Sequence, residues 1–469
     1  METFFIPQFI PQEICLKCEV CCRFIDEFSP WAPFILKGEI DKYKCYKFLP
    51  SFINSYGINL RGIKNRNFYV CPFFNSNQKK CLIYNERPLD CRLYPFVLFY
   101  NEDYTEVHLG IDLQCPYLRD KDMNIFLNFA KRLKSILENE ENFETVYQNP
   151  GLIMDYNTNF FTFGILDKIS SKIFGKETNL KMISLKDKEL FNKFLTEDGK
   201  NFSYAFEYLY SWRNIAYLLW EVVDNNLLVF CKQGESSFLI LPPLGKTISP
   251  QAINFGKSFL GKNMRIDNVT VHYSDFFKQN NFKLKCVNLE YIYESLKIAE
   301  LKGDGFKSQR CAYNYFHKNY PAKIRELTSK DGSECLKLYE LWTGDRLKKY
   351  KSEHYRLLIE DNFFAQRRLL SDYELLDLEG IVLEIGGEIK GYSFGYPLDQ
   401  DNFCIFAEVV DFRFKGIAQY MFSEFCRRLK NFKFINTMDD SGLENIRKTK
   451  LSYRPSITRK FYSYEQLDY

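Results

Sequence analysis

The cysteines of this 469-residue chain are unevenly distributed, and this distribution is the strongest constraint on its fold. Nine of the 15 cysteines lie in the first 115 residues, and four of these nine fall within the eight residues CLKCEVCC at positions 15–22. The other six occur singly between residues 231 and 426, as expected of small buried hydrophobic side chains. The front of the chain is therefore predicted to form a cysteine-rich domain of its own.

Four roles are open to the front cysteines: a disulfide clasp, a metal site, a redox pair or buried thiols without function. The start METFFIPQFIPQEIC contains two prolines and no basic segment followed by an apolar run, so no signal peptide is predicted. No stretch approaches the roughly 20 apolar residues of a membrane span. A cytoplasmic location is therefore expected, where clustered cysteines bind metal more often than they form disulfides.

The spacing of these cysteines suits ligation of a metal by sulfur. A C-x2-C turn directs two thiolates at one ion, and more distant cysteines complete a four-sulfur shell. Eight thiols can fill one iron–sulfur site with spares or two four-ligand sites, and adjacent Cys21 and Cys22 are not expected to serve the same ion. The predicted metal ligands are Cys15, Cys18, Cys21, Cys22, Cys71, Cys81, Cys91 and Cys115.

The segment ERPLDCRLYPF (86–96) places Arg87 and Arg92 on either side of Cys91. Guanidinium groups can offset thiolate charge and donate to sulfur, although surface ion pairs are the alternative. With CxxCxxCC and the pattern C-x-I-Y-x-x-R-P-x-x-C-R-x-Y-P-F, residues 13 to about 120 resemble the YkgJ-type cysteine-cluster family. The resemblance implies chelation of zinc or iron, and both zinc and an iron–sulfur cluster suit an all-thiolate shell.

The whole chain is predicted to be an α+β protein, with a small cysteine-rich metal-binding domain at 1–141 that is closed by a helix at 121–141. The irregular segment 142–182 is predicted to be a linker or docking segment. Two α/β units with mixed sheets follow at 183–299 and 300–469. The second unit has the order helices, hairpin, strand, helix, strand, which matches acyltransferases of the GNAT type.

The segment RFKGIA (413–418) fits the R/Q-x-x-G-x-A pattern of an acyl-CoA pyrophosphate loop. It follows a predicted hairpin and strand and precedes an amphipathic helix. Gly416 lets the backbone approach a phosphate, and the N-terminus of the next helix favours an anion. An ordinary strand–turn–helix unit can match this short motif by chance. The predicted residues of the loop are Arg413, Gly416 and Ala418.

The segment NTMDDSGLENIRKTKLSYRP (436–455) is rich in positive charge. Six basic residues lie between positions 443 and 460, against Glu444 as the sole acidic residue. Arg447 and Lys450 are three positions apart and share a helix face. Together with Arg310 they are predicted to bind phosphates or the end of a tRNA, and a solvated basic face is the alternative.

This segment, with LKGDGFKSQRCAYNYF (301–316), SWRNIAYLLW (211–220) and LPPLG (241–245), resembles the C-terminal domain of phosphatidylglycerol lysyltransferase. The resemblance covers about 183 to 465 and implies two tandem GNAT-like folds, as in Fem-type aminoacyltransferases. It implies an acyl-CoA or aminoacyl-tRNA as donor. Two departures weaken the comparison: the multi-span membrane half does not occur in this sequence, and Met438 stands where the pattern usually has an acidic residue.

The predicted function is an acyl- or aminoacyltransferase with an attached metal or iron–sulfur domain. An acceptor amine or hydroxyl would attack the donor carbonyl, a carboxylate would take the proton, and backbone N–H groups would hold the oxyanion. Glu408 and Asp440 are the candidate bases, with ordinary ion pairs as the alternative. Tyr453 is the candidate donor to the leaving group, with a core tyrosine as the alternative.

A function of a different class is also open: a GNAT-like binding module without catalysis, regulated by a cysteine domain that senses metal or redox state. The departure at Met438 motivates it. The net charge of +4, from 64 basic and 60 acidic residues, does not fit a polyanion-coating protein, so no duplex DNA binding is expected. The expected partner is a small-molecule or aminoacyl-tRNA donor.

Overall fold

The structure, a computed structural model, describes residues 5–44, 46, 49–119, 121–195, 201–213, 215–261 and 264–466. The chain divides into two compact units. The smaller comprises Met1–Met182, Asn214–Leu219 and Lys232–Glu235, and the larger comprises Ile183–Arg213, Trp220–Cys231 and Ser236–Tyr469. None of the helices in the described ranges has the length and apolar character needed to cross a membrane.

The smaller unit begins with short elements and continues with longer ones. Its strands are Arg23–Phe24, Phe34–Ile35, Ile58–Asn59, Ile63–Asn65, Phe68–Val70, Phe74–Asn75, Lys80–Cys81, Phe96–Tyr100, Val107–Asp112, Phe160–Ile165 and Lys181–Met182. Its α-helices are Gln12–Cys15, Ile40–Tyr43, Leu89–Leu93, Met123–Leu137, Glu140–Tyr147 and Asp167–Phe174. The segment 142–182 thus contains two strands, Phe160–Ile165 and Lys181–Met182, and the helix Asp167–Phe174.

An antiparallel three-stranded sheet supports the second half of the smaller unit, with Val107–Asp112 as its central strand. Phe96–Tyr100 is buried along its whole length, which explains its continuous apolar sequence FVLFY. The helix Met123–Leu137 buries Phe126, Ala130, Leu133 and Leu137, which recur at helical spacing. Two of the predicted ligands lie next to strands of this sheet in sequence: Cys91 precedes the first strand, Phe96–Tyr100, and Cys115 follows the central strand, Val107–Asp112.

The larger unit contains longer elements. Its strands are Ser236–Leu239, Arg265–Thr270, Phe282–Glu294, Ala322–Glu326, Glu379–Ile385, Glu388–Pro397, Asn402–Val410, Phe434–Asp439 and Ile457–Gln466. Two further strands, Tyr217–Val223 and Asn226–Gln233, contribute residues to both units. Its α-helices are Lys188–Phe194, Phe206–Ser211, Pro250–Leu260, Val271–Gln279, Ser295–Glu300, Lys307–Asn319, Gly332–Lys349, Glu353–Ser371, Ile417–Arg428 and Glu444–Ser452.

The order of elements repeats within the larger part of the chain. The same order occurs from 188 to 294 and again from 332 to 466: two helices, three neighbouring strands, a helix, a strand, a helix and a strand. In each repeat the third strand pairs in parallel with the fourth, as Ser236–Leu239 does with Arg265–Thr270. This arrangement confirms the predicted mixed α+β class with two tandem GNAT-like folds.

The last strand of each repeat lies beside a strand of the other repeat. Phe282–Glu294 pairs with Phe434–Asp439, and Ile457–Gln466 pairs with Arg265–Thr270 and with Phe282–Glu294, all antiparallel. The resulting strand order is Ser236–Leu239, Arg265–Thr270, Ile457–Gln466, Phe282–Glu294, Phe434–Asp439, Asn402–Val410, Glu388–Pro397, Glu379–Ile385 and Ala322–Glu326. Each repeat therefore depends on the other to complete its part of the sheet.

The parallel strands Asn402–Val410 and Phe434–Asp439 stay paired only at their beginnings. The paired residues run from Asn402 with Phe434 to Cys404 with Asn436, after which these two fully described strands separate. Beyond that point Asn402–Val410 continues beside its antiparallel neighbour, with a bulge opposite Phe394 and Gly395. The separation opens the sheet next to Glu408, one of the candidate bases.

Candidate functional sites

The eight cysteines predicted as metal ligands all line one cavity of the smaller unit. The cavity has a volume of about 610 Å³. All eight cysteines are free thiols; Cys71 and Cys115 are buried, and the other six are partly exposed. The structure thus brings together side chains that are up to 100 positions apart in sequence.

Local backbone contacts fix the first half of this set. Cys15 ends the helix Gln12–Cys15, and the next turn is closed by Cys18 N–H, which donates to the carbonyl of Cys15 at 3.1 Å. Cys22 lies in a single 3-10 turn, Val20–Cys22. Its carbonyl accepts a hydrogen bond at 2.9 Å from the N–H of Cys71, which is 49 positions later in the sequence.

Regular secondary structure fixes the other three cysteines. Cys81 pairs with Phe74 in a two-stranded ladder, which holds it beside the turn that begins at Cys71. Cys91 lies in the helix Leu89–Leu93. Cys115 follows the strand Val107–Asp112, and its N–H donates to the carbonyl of Asp112 at 3.2 Å.

Burial favours the protonated form of these thiols, whereas a metal ion is bound by thiolates. Burial raises the pKa of Cys71 to about 12, although the N–H groups of Phe73 and Phe74 donate to its sulfur and oppose the shift. Burial also raises the pKa of Cys115 to about 11, against a hydrogen bond from the Tyr117 N–H. Neighbouring thiols add to both shifts because thiolates repel one another. A bound cation reverses this balance, since thiolate ligands are deprotonated on binding metal.

Arg87 is held against the thiols, as the sequence predicts. Its Nη1 lies 3.6 Å from Cys15 Sγ, its Nε donates to the Tyr84 carbonyl at 2.8 Å, and its Nη2 donates to Gln8 Oε1 at 2.9 Å. Arg92 lines the same cavity, but its Nη2 lies 3.9 Å from Glu39 Oε1, an ion pair. Arg87 is therefore the guanidinium that donates to sulfur.

The thiols surround the cavity rather than meeting at one point. Across the described ranges, no three histidine, cysteine, aspartate or glutamate side chains are grouped closely enough to hold an ion as they stand. His108 is engaged elsewhere, with Thr162 Oγ1 at 2.9 Å and Glu106 Oε2 at 3.0 Å. The eight thiols match the donor chemistry of an all-sulfur centre of zinc or an iron–sulfur cluster, and they would have to move closer together to hold it.

Replacing Arg87 is expected to weaken metal binding. In Arg87→Gln the hydrogen bond to Cys15 and its positive charge are lost, and we expect about 10- to 100-fold lower metal affinity. Competition with a chelator after anaerobic loading measures this affinity. Arg132→Gln, at an exposed position of the helix Met123–Leu137, is the matched control and should bind metal like the wild type. Unchanged affinity in Arg87→Gln would contradict a role for this guanidinium.

In the larger unit, Glu408 is the candidate base with a raised pKa. Burial raises its pKa to about 8. The residue is half-buried, but its Oε2 is fully buried and has no hydrogen-bond partner among the described residues. Glu408 raises the pKa of Tyr453 and of Cys426 through its charge, in each case after the larger effect of burial. An unpaired buried carboxylate is costly for a fold, which is typical of residues retained for chemistry.

Tyr453 is buried beside this carboxylate. Its ring packs edge to face against Phe422 with 5.0 Å between the ring centroids. Burial, followed by the charge of Glu408, raises the pKa of Tyr453 far above its ordinary value, while Gln419 hydrogen-bonds to it. The hydroxyl therefore stays protonated near neutral pH and is available for hydrogen bonding.

Asp440, the other candidate base, is fully engaged. Its Oδ2 accepts from Tyr291 Oη at 2.6 Å and from Arg447 Nε at 2.8 Å, and its Oδ1 accepts from Gly442 N–H at 3.0 Å. Burial opposes the shift, but these hydrogen bonds hold the pKa of Asp440 below its ordinary value. This carboxylate is a weaker base than Glu408 and is occupied by its partners.

The basic residues predicted to bind phosphate all have partners within the chain. Lys450 is inward-facing: its Nζ donates to the carbonyls of Thr437 and Asp439, and burial lowers its pKa to about 8. Arg413 Nε donates to Asp411 Oδ1 at 2.8 Å. A separate contact ties Arg310 to the loop before its helix, since Nη1 donates to the carbonyls of Leu301 and Gly303.

Gly416 lies where the predicted strand–turn–helix unit occurs. The strand Asn402–Val410 leads to it, and the helix Ile417–Arg428 begins directly after it, with Ala418 in the first turn. Its φ of 87° is in the left-handed region. A Cβ at this position would lie 2.2 Å from the carbonyl oxygen of Ala312 in a neighbouring helix, so glycine is required by both conformation and space.

The structure also identifies a buried acidic residue that sequence patterns did not single out. Glu290 is fully buried in the strand Phe282–Glu294, and its Oε2 accepts from Asn436 Nδ2 at 2.7 Å and Phe202 N–H at 3.2 Å. Its Oε1 lies 3.3 Å from Arg459 Nη1. Burial raises its pKa to about 7. The sequence feature that could have identified Glu290 is its position as a charged residue within the apolar run LEYIY (289–293).

Residues 196–464 match the family described as "Phosphatidylglycerol lysyltransferase, C-terminal". The chain belongs to this family. Residues 14–116 match a second family, CxxCxxCC, described as "Putative zinc- or iron-chelating domain". Both resemblances predicted from the sequence motifs are thereby confirmed, and the phosphatidylglycerol lysyltransferase C-terminal region covers both repeats of the larger unit.

Two curated relatives are themselves uncharacterized. A protein of Mycoplasmoides gallisepticum is 28% identical over 299 residues, which cover 56% of this chain and 92% of that protein. A protein of Methanocaldococcus jannaschii is 32% identical over 91 residues, which cover 18% of this chain and 43% of that protein.

Three solved structures are similar to this chain. A conserved protein of unknown function from Bacteroides thetaiotaomicron has a TM-score of 0.56 and 25% identity, over 62% of this chain and 99% of that chain. L-PGS from Bacillus licheniformis has a TM-score of 0.43 and 16% identity, over 59% and 91% of the two chains. FemX has a TM-score of 0.43 and 9% identity, over 62% and 98%.

Proposed function

We propose that this chain is an acyl- or aminoacyltransferase, with Glu408 as its general base and with a zinc or iron–sulfur centre in its smaller unit. The observation that carries the proposal is the carboxylate of Glu408, whose buried Oε2 has no hydrogen-bond partner within the described chain. It lies where two parallel strands separate and on the strand that leads to the turn at Gly416.

The transfer proceeds by direct attack of the acceptor on the donor. An acceptor amine or hydroxyl forms a bond to the donor carbonyl carbon, and the Glu408 carboxylate takes the proton that the acceptor loses. The bond from that carbon to the leaving sulfur or ribose oxygen then breaks. The Tyr453 hydroxyl protonates the leaving group, and solvent returns the proton held by Glu408 to Tyr453. Both residues are thereby restored.

The donor's phosphates are assigned to the turn at Gly416. The first N–H groups of the helix Ile417–Arg428 favour an anion there. The side chains of Arg413 and Arg447 are 63% and 46% exposed, but their partners Asp411 and Asp440 are buried, so each arginine can contact a phosphate only by sharing or giving up its ion pair with a buried carboxylate. The Nζ of Lys450 points inward, and we assign Lys450 the role of holding the turn around residues 437–439.

Thermal unfolding in the presence of each donor class tests the proposal. Acyl-CoA or aminoacyl-tRNA should raise the melting temperature of the anaerobically purified chain, because a ligand that binds only the folded state stabilises it. AMP at the same concentration is the control for non-specific phosphate binding. No shift with either donor class, in protein that has kept its metal, would overturn the transferase proposal.

A binding module without catalysis is the second candidate. The observation that favours it is the internal bonding of Asp440, Arg447 and Lys450, which leaves the charged segment 436–455 engaged with itself. If this candidate is correct, ligand binding will persist while Glu408→Gln leaves every cellular effect of the protein unchanged.

The role of the smaller unit depends on which centre its thiols hold. Zinc stabilises the fold directly, whereas an iron–sulfur cluster supplies electron transfer or redox sensing. Anaerobic purification followed by metal and sulfide analysis distinguishes them. Iron with acid-labile sulfide and a broad visible absorption indicates a cluster, and a colourless zinc protein indicates a structural site.

A further inference from the structure

Arg346 is a cation of the larger unit whose charge is not matched by a neighbouring anion. It lies in the last turn of the helix Gly332–Lys349. Its Nε is buried and has no hydrogen-bond partner among the described residues, and its guanidinium forms no ion pair with a carboxylate of those ranges. A guanidinium that is partly withdrawn from water ordinarily donates to a carboxylate or a carbonyl, because an unmet donor is costly. The missing partner points to a ligand.

Two aromatic rings position this guanidinium. The Cζ of Arg346 lies 4.2 Å from the centre of the Phe412 ring and 5.3 Å from the centre of the Trp342 ring. A ring contacts the flat face of a guanidinium, whereas the N–H donors point outward in its plane. The rings therefore hold Arg346 without using the donors that could bind an anion.

Phe412 places Arg346 beside the turn to which the donor's phosphates are assigned. Phe412 follows the strand Asn402–Val410 by two positions and precedes Gly416 by four. Its side chain is 51% exposed, although it is large and apolar. The helix that carries Arg346 packs against the same strand. A phosphate at the turn is therefore close to the end of this helix.

The connection that follows Arg346 crosses the ends of the two parallel strands that separate. It leads through residues 350–352 to the next helix, where His354 Nε2 lies 3.2 Å from the carbonyl oxygen of Ser441. Ser441 comes two positions after the strand Phe434–Asp439. Ligands of open α/β sheets bind outside the carboxyl ends of parallel strands. Arg346 thus lies at the end of the sheet where a ligand is expected.

The arginines predicted from the sequence to bind phosphate are less available than Arg346. Arg413 Nε donates to Asp411 at 2.8 Å, and Arg447 Nε donates to Asp440 at 2.8 Å. Both aspartates are buried, so loss of either ion pair would leave a buried carboxylate without its cation. Arg346 can bind a phosphate without breaking an ion pair with any described residue.

We infer that Arg346 binds a phosphate group of the donor substrate beside the turn at Gly416. The inference rests on the proposed function, since it requires that the larger unit binds a donor. It adds the residue that recognises the donor's negative charge. The phosphate belongs either to the pyrophosphate of an acyl-CoA or to the 3′-terminal phosphodiester of an aminoacyl-tRNA, and the test distinguishes these two sources.

Donors with and without phosphate test the inference. Acetyl-CoA is compared with acetylpantetheine, and unfractionated aminoacyl-tRNA is compared with puromycin, an aminoacyl nucleoside without phosphate. Arg346→Gln should bind the phosphate-bearing donor about 10- to 100-fold more weakly, because a charge-assisted contact is lost, and should bind its phosphate-free analogue like the wild type. The pair that responds identifies the source of the phosphate.

Lys348→Gln is the matched control. It removes a positive charge from the same helix end, but the Lys348 side chain is 80% exposed and its Nζ pairs with Asp345 at 3.3 Å. This variant should bind the donor like the wild type. Phe412→Leu is an independent second variant at a half-exposed position, which keeps every charge and removes the ring beside Arg346. It should weaken binding of the same donor.

The outcomes separate this inference from the proposed function. Wild-type donor affinity in both Arg346→Gln and Phe412→Leu would overturn the role of Arg346. An equal loss of affinity for the donor and its phosphate-free analogue in Arg346→Gln would overturn it as well, because the loss would then not depend on phosphate. If the wild type binds neither acetyl-CoA nor aminoacyl-tRNA, the proposed transferase function itself fails.

Discussion

The variant Glu408→Gln is expected to lose most of its transfer activity, by about 10²- to 10⁴-fold, as when a general base is removed. Glutamine keeps the size of the side chain but cannot accept the proton of the acceptor. The effect should appear in kcat with donor binding retained, because Glu408 is not assigned to the donor. Glu388→Gln, on the exposed end of the neighbouring strand, is the matched control and should keep wild-type activity.

The pH dependence of both stability and activity follows from the raised pKa of Glu408. Its pKa in the fold is about 8, against an ordinary value of 4.5, so the folded state holds this proton more tightly than the unfolded state. The stability that this protonation contributes is fully present below pH 4.5 and is lost as the pH rises through about 8. Wild-type activity should increase over the upper part of this range, since the base must be ionised.

The same variant should therefore gain stability where the wild type loses it. Above pH 8, Glu408→Gln is expected to have a higher free energy of unfolding than the wild type, measured by urea denaturation at several pH values. A pH-independent difference would show that burial of this charge does not control stability. Full activity in the variant would assign the proton transfer to another group and favour the binding module.

The second large effect is expected at Gly416, where Gly416→Ala should lower the free energy of unfolding by about 2–4 kcal/mol. The added Cβ would lie 2.2 Å from the carbonyl oxygen of Ala312, which is backbone and cannot rotate away. The φ of 87° adds strain for any residue with a side chain. The helix Ile417–Arg428 must shift to relieve the contact, so donor binding should weaken as well.

The variant Gly387→Ala separates the two causes of the expected stability loss, the close contact of the new Cβ and the strain of a positive φ. Gly387 also has a positive φ, of 81°, but nothing lies within 4 Å of its Cβ position. Its replacement should cost about 1–2 kcal/mol from backbone strain and leave donor binding unchanged. Urea denaturation of both variants measures the difference. Equal losses would mean that close packing against Ala312 contributes nothing.

Local sequence patterns predicted several elements of the larger unit well, because each depends on residues near one another. Ser184 and Asp187, three positions apart, form a reciprocal cap at the turn Leu185–Asp187, with Asp187 Oδ2 accepting from Ser184 N–H at 2.7 Å. The predicted hairpin turns at Gly386 and Gly387, both with positive φ. The segment 142–182 was harder to predict, since its strand Phe160–Ile165 has one buried, two exposed and three partly exposed residues and shows no clean alternation.

Pairing over long distances was not predictable in the same way. The last strands of the two repeats, Phe282–Glu294 and Ile457–Gln466, pair although they are more than 150 positions apart in sequence. No local sequence feature of either strand identifies its partner. The inward direction of the Lys450 side chain was not predictable for the same reason. All residues of its helix, Glu444–Ser452, are at least partly exposed, yet the Lys450 Nζ reaches carbonyls at the end of the strand Phe434–Asp439.

The sequence by itself determined which residues could serve as ligands, because thiol chemistry and cysteine spacing are local properties. It also indicated both families and the order of helices, hairpin, strand, helix and strand in the second unit. Only the tertiary structure decided which carboxylate is unpaired, since Glu408 and Asp440 differ in their neighbours and not in their chemistry. It likewise placed eight distant thiols around one cavity, because burial and pairing across the fold set those positions.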